Sequence, residues 1–543
     1  MDFSTFMHQC EQIVETLSEE EIKRYFLYAL SKLQPDDRVE FLSQFSQKEL
    51  PVDLTYESIK EWFEKVSNEE IYLRAEEDES SYSSWDDCPD LIYSDFDDMV
   101  AMVEKILSYA DSKFYAKKYK EALEIYQDLL TMQIAVESEE IEVDPVDLKI
   151  LSIELGPKIE WKSLCARTLY ACYMVHEPGE RESALYHHFT DIITGSSMAM
   201  EDVIYASAEP LPGLAEFWTS WQDYLAGVEG SRAFRLLCEA CRCGAPGDLE
   251  RVARSAYRVH PELFRELLEG LVEDEDYEAC LSAGQDALAC VAREVKVRAS
   301  YADVVRTAAE RLERDEMIEW AALEGFYSDP SVCRMIWLYR YVADASKIAE
   351  APRVSSSAID ERNPSVADNL RVTLAFISGD AEPLMSYLQY RVHSHDWYAH
   401  MSEYSHYSAP GEAVSLLLFL LNRNNQYSRV MEALLTRTLS VFAVPSDRRE
   451  EALDILQLWK QRMDFDLPEE TVFELLDRAI KIWLDDIIVA TNRNYYSFGA
   501  MLLCAWGEII EGLGRGSRAE FVEHYRKLHN RKIAFKEELG EYC

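Results

Sequence analysis

The side chains of this sequence most able to do chemistry are histidines, carboxylates and thiols, and they crowd together in two places. The first reads Arg391-Val392-His393-Ser394-His395-Asp396-Trp397-Tyr398-Ala399-His400-Met401-Ser402-Glu403-Tyr404-Ser405-His406-Tyr407. Imidazole and carboxylate together suit zinc or iron, so His393, His395, His400 and Glu403 are a candidate metal set. Their spacing follows no recognised ligand pattern, and the sequence has no His-Glu-x-x-His. The plainer reading of the stretch is an aromatic-rich connecting segment. The second place is Cys238-Glu239-Ala240-Cys241-Arg242-Cys243. A structural zinc site wants four ligands, and no second thiol pair follows at ribbon or finger spacing. Cysteines packed in the core at a helix end explain this group more simply.

Other catalytic signatures are missing. There is no Gly-x-x-x-x-Gly-Lys-Ser/Thr and no Gly-x-Ser-x-Gly. Asp and Glu number 100, so paired carboxylates distinguish nothing. A metal-dependent enzyme using the His393–Glu403 segment is therefore the alternative to a non-enzymatic protein, and no cofactor is expected.

The elements that would position such groups are helices. Ala122, Leu123, Tyr126, Leu129 and Leu130 fall on one face of a helix, within a two-helix unit running from Met99 to Met132. A second pair begins near Pro261, where Leu263, Phe264, Leu267, Leu268 and Leu271 form a face and Asp276 opens the partner helix. A third covers Tyr301 to Leu312 and Met317 to Phe326, with Ser331 placed to cap the helix after it. Asp248 is a cap candidate behind the Gly244-Ala245-Pro246-Gly247 loop. Few period-two runs and no Asn-Gly turns appear, so no strand is expected. An amphipathic hairpin cannot bury its face alone; it stacks on the next. The expected fold is all-α, a tetratricopeptide-like superhelical solenoid with a small helical N-terminal subdomain. Its expected divisions are residues 1–74, an acidic, aromatic-containing linker over 75–98, helical repeats over 99–350, and C-terminal repeats with a basic capping helix over 351–543.

Composition narrows the setting. The formal net charge of −45 opposes binding to phosphate backbones, so nucleic acid is disfavoured as a partner. The longest apolar runs, Leu169 to Val175 and Ala500 to Trp506, and the greasiest, Leu416 to Leu421, fall far short of the ~20 residues of a bilayer span, and no membrane contact is expected. The first residues show no secretory signal. Twelve cysteines are scattered without a framework, several of them, including Cys165, Cys172, Cys280 and Cys504, inside helical apolar patterns. All this fits free thiols in a reducing cytoplasm. Between positions 51 and 100 sixteen acidic residues face three basic ones, and Tyr82, Trp85, Tyr93 and Phe96 are interleaved with the acids. Such a segment either lies as a solvated linker or regulates by occupying a binding face. Near the C-terminal end Arg515, Arg518, Arg526, Lys527, Arg531, Lys532 and Lys536 form a basic stretch, expected to pair with the chain's own acids.

Two resemblances sharpen this picture. Tyr119-Lys120-Glu121-Ala122-Leu123-Glu124-Ile125-Tyr126 resembles the second helix of a tetratricopeptide repeat, with Ala122 and Tyr126 at the small and aromatic positions; Lys117 stands where a glycine is usual. A wider stretch, positions 99 to 540, resembles the long helical region of bacterial SWIM zinc-finger proteins. The likeness rests on Ala321 to Ser331, Ser408 to Val414 and Asn492 to Ser497, the last followed by a helix and Tyr525 to Lys532. The finger itself needs Cys-x-Cys followed by Cys-x-His; Cys241-Arg242-Cys243 supplies the first half and no cysteine has a histidine two residues later. What the resemblance implies is a helical-repeat scaffold without the finger's zinc. The expected function is accordingly a cytoplasmic scaffold or adaptor that binds protein.

Overall fold

The computed structural model describes residues 54–77, 91–96, 98–138, 143–156, 159–193, 198–356, 364–390, 410–423, 427–463, 469–489 and 493–543, with single positions between 16 and 26 and at 141 and 359. These residues are mostly helical. The chain divides into two compact units, Met1–Val252 and Ala253–Cys543.

In the first unit α1 (Tyr56–Ser67) starts at a reciprocal cap: Ser58 N donates to Thr55 Oγ1 at 3.2 Å and Thr55 N to Ser58 Oγ at 3.0 Å. The expected hairpin forms as α2 (Met99–Tyr115) and α3 (Tyr119–Thr131). Lys60 of α1 holds Asp128 of α3 at 2.5 Å. There follow α4 (Leu148–Glu154), α5 (Trp161–Val175) packed on α3, α6 (Arg181–His187), α7 (Met200–Ile204), α8 (Leu214–Leu225) and α9 (Ser231–Cys243). A π-turn, His188–Ile192, continues α6. The unit boundary falls inside α10 (Asp248–Ala256).

The absence of strands is corrected by a small sheet in this unit. β1 (Leu73–Glu77) pairs antiparallel with β2 (Leu91–Ser94), Ala75 opposite Tyr93, and parallel with the two-residue β3 (Val136–Glu137). Leu73 and Ala75 are buried, while Arg74 and Glu76 are exposed. That is a period-two pattern carried by only two apolar residues, one of them alanine, amid acids that read as linker. β1 also runs across the expected division at 74/75. Of the acidic linker, residues 78–90 lie outside the described residues.

The second unit continues with α11 (Leu263–Glu273), α12 (Tyr277–Cys290), α13 (Arg298–Arg311), α14 (Asp315–Ser328) and α15 (Val332–Tyr341), each packed on the next. These are the second and third expected pairs. Asp276 Oδ1 accepts from Ala279 N at 3.1 Å and Ser331 Oγ from Arg334 N at 3.3 Å, as their positions suggested. Then come α16 (Ala345–Val354), which spans the expected division at 350/351, α17 (Pro364–Ile377), α18 (Glu382–Tyr390), α19 (Pro410–Leu421), α20 (Arg429–Val441), α21 (Arg449–Arg462), α22 (Glu469–Val489), α23 (Tyr496–Gly512), α24 (Arg518–Leu528) and α25 (Ile533–Tyr542). From α15 onward packing also joins helices far apart in sequence. α21 returns to α15, with Arg462 Nη1 on Val342 O at 2.9 Å, and meets the end of α17, with Trp459 Nε1 on Ile377 O at 2.9 Å. One apolar cluster runs from Leu323 to Leu539.

Cys504 is not the free thiol its helical apolar setting suggested. It is disulfide-bonded to Cys543, across a Cα–Cα distance of 5.9 Å. Eight other cysteines among the described residues are free. No spacing rule in the sequence links two positions 39 residues apart; packing of α25 on α23 brings them together.

Candidate functional site

His393, His395, His400 and Glu403 lie outside the described residues. Among the described residues no group of three or more His, Cys, Asp or Glu is placed to hold a metal ion. Cys238, Cys241 and Cys243 sit on α9. Burial pushes the Cys241 and Cys243 thiols up to about 12, and the Cys243 Sγ donates to Glu201 Oε1 at 3.5 Å. A setting that disfavours thiolate is the reverse of what a metal ligand needs. Four members of the basic C-terminal stretch meet the chain's own carboxylates. Arg515 grips Glu470 with two bonds, Arg518 meets Glu508 at 2.9 Å, and Arg526 and Lys527 reach Glu523 at 3.4 and 3.8 Å.

Two recesses lined by aromatic residues lie around α15. The Ser331 cap fixes where that helix begins, and Arg334, Trp337, Leu338 and Tyr341 then fall at i, i+3, i+4 and i+7 on one face. Arg334 reaches across to α13 and holds both Asp303 oxygens, at 2.8 and 2.7 Å. Trp337 and Tyr341 stack with ring centroids 6.2 Å apart. Each ring also carries a guanidinium. Arg448, in the turn before α21, lies 3.7 Å from the Trp337 centroid, and Arg306 of α13 lies 4.7 Å from that of Tyr341. Arg306 Nη1 donates to the Tyr341 hydroxyl at 3.0 Å. These groups, with Pro330 and Pro445, line a recess of about 750 Å³. Tyr341 also borders a second recess of about 840 Å³, formed with Trp320, Glu316, Glu319 and Lys347. Both volumes lie in the range that encloses a ligand group or several peptide side chains.

No known protein-family profile, characterised protein or solved structure matches this chain. What the site does is therefore argued from its own chemistry. Its one thiol, Cys333, is raised by burial, so it is not an activated nucleophile. Its arginines are engaged with Asp303, Glu310 and Glu451. What the recesses offer is flat aromatic surface with a charged border. The face of α15 was legible as helical spacing; Arg448, more than a hundred residues further on, carried no signal that it would stack on Trp337.

Proposed function

We propose that this protein is a non-enzymatic scaffold or adaptor that binds protein, built from helical hairpins stacked in tetratricopeptide-like fashion. The pairing of α11 with α12 and of α13 with α14, each hairpin closed by the same turn, supports the repeat reading. The likeness to the helical region of SWIM zinc-finger proteins belongs to this proposal, as does a cytoplasmic setting. The observation that carries it is the pair of recesses sharing Tyr341. Trp and Tyr beside Arg are the residues that dominate protein interfaces, because they bury much apolar area for few rotors and keep a polar edge. A partner segment laid along α15 would cover Trp320, Tyr341 and the ring-bound guanidiniums together.

The test is capture of cellular proteins by the purified chain at physiological salt, with a photo-reactive residue replacing Ala343 to report contact at the groove. The expected outcome is a defined protein cross-linked from that position. A Trp320→Ala/Tyr341→Ala variant with unchanged circular dichroism should capture it at least tenfold more weakly. Undiminished capture by that variant, or no captured protein across several growth conditions, overturns the reading.

A further inference from the structure

We propose that Cys543 is a thiol-exchange site, and that its bond to Cys504 is a reversible clasp on α25. The two residues differ in exposure. Cys504 is fully buried in α23, whereas Cys543 is exposed. Cys543 also borders a recess of about 820 Å³ against α24, whose lining includes Arg518, His524, Arg526 and Lys527. Glu511, Glu520 and Glu523 line it as well, so the recess is of mixed charge, and a low-molecular-weight thiol entering there meets Cys543 before the buried Cys504.

Exchange then runs in two balanced steps. The incoming thiolate bonds to Cys543 Sγ, the Cys504–Cys543 bond breaks, and Cys504 leaves as a thiolate that takes up a proton. A second small thiol displaces the first from Cys543, giving a free small disulfide and the Cys543 thiol. Two electrons and two protons have passed from the two small thiols to the protein. Oxidation by the small disulfide is the reverse.

Without the bond, α25 is held by its packing on α23, with Ala534 and Tyr542 partly buried against the core. Phe535 and Leu539 are its fully buried side chains, the former edge-on to Tyr496 at 5.6 Å. Tyr542 O accepts from Arg518 Nη2 at 3.0 Å, and its hydroxyl lies 3.3 Å from Ser497 Oγ. Those contacts must offset the ordering of a ten-residue helix. The clasp makes the difference by tying the end of that helix to the core. Reduction should therefore release α25 while the core beneath it stays folded.

The experiment uses the full chain with thiols blocked at lysis, followed by peptide mapping and a titration with reduced and oxidised glutathione. A Cys504–Cys543 peptide, a glutathione adduct on Cys543 with none on Cys504, and at least tenfold faster amide exchange over 533–542 after reduction are expected. Cys504→Ala should show the same fast exchange regardless of redox state and still accept glutathione at Cys543. Adducts on Cys504, no disulfide at any glutathione ratio, or equal amide exchange in the oxidised and reduced chain would each overturn the proposal.

Discussion

At the scale of single residues, two buried polar groups set the sharpest expectations. Arg298 and Glu324 are 4% and 7% exposed and meet at 2.5 Å. Arg298 also donates to Leu288 O at 2.8 Å and Ser328 Oγ at 2.6 Å, and Arg293 reaches the other Glu324 oxygen at 2.8 Å. The cluster ties α12, α13 and α14. Glu324→Leu strands a buried guanidinium and should cost ~3–5 kcal/mol in urea unfolding, whereas Arg298→Met/Glu324→Leu, which removes both charges, should cost less. A double variant no better than the single would mean that the pair itself supplies the stability. In the first unit the His188 ring is buried, with Nδ1 2.7 Å from Ala184 O, so Nδ1 carries the proton and Nε2 faces Gln127 at 2.7 Å. Burial lowers its pKa below the ordinary 6.5. The unfolded chain thus binds a proton at a higher pH than the folded one. Stability from this group is complete above about 6.5 and falls as pH drops toward the folded value. His188→Gln should flatten that acid-side fall in thermal melts; an unchanged slope would assign it elsewhere.

At the scale of elements, the recurring turn is the most repetitive feature of the fold. After α2, α11 and α13 the chain makes the same three bonds. Lys118 N reaches Lys113 O, Asp276 N reaches Leu271 O and Arg314 N reaches Ala309 O, all at 2.9 Å, each accompanied by two shorter-range bonds. The residue between is left-handed: Lys117 at φ 61°, Glu275 at 58°, Glu313 at 55°. This is the Schellman ending, which favours glycine because a Cβ is strained there. Gly379 and Gly514 fill the same place after α17 and α23. Replacing Lys117, Glu275 or Glu313 with glycine should therefore stabilise by up to ~1 kcal/mol each, and a loss of stability would show that the side chain matters more than the turn. The reverse holds at Gly284 in α12, where an added Cβ would collide with Val305 Cγ2 of α13; Gly284→Ala should cost ~1–3 kcal/mol by forcing those helices apart. The helices themselves were legible because their apolar spacing and caps are local, as at Leu263–Leu268, Asp276 and Ser331. The hairpin turns were legible as breaks but not as one repeated geometry, since lysine and glutamate hide a position that glycine would advertise. The sheet, the Cys504–Cys543 bond and the Arg448–Trp337 stack were not legible at all: each joins residues through packing that no local period encodes.

At the scale of the whole molecule, charge is the quantity to reckon with. If every one of the 55 basic residues neutralised one acid, 45 of the 100 carboxylates would still lack a positive partner. Many ion pairs that do form are exposed, such as Arg423–Glu469 and Arg314–Glu278, and pairs of that kind contribute little. Salt weakens those pairs, but it also screens the repulsion among the surplus carboxylates, shortening the Debye length from ~30 Å at 0.01 M to ~8 Å at 0.15 M. With attraction worth little and repulsion spread over the surface, the second effect wins. Raising sodium chloride from 0.01 to 0.15 M should lift the thermal midpoint by several degrees, at ~2–4 °C per kcal/mol for units of this size. Charge reversal of exposed acids such as Glu316 to lysine should reduce that salt response stepwise. A midpoint that fell with salt would mean that the ion pairs outweigh the surplus. It would then follow that the acids are arranged in networks whose attraction exceeds what their numbers alone allow.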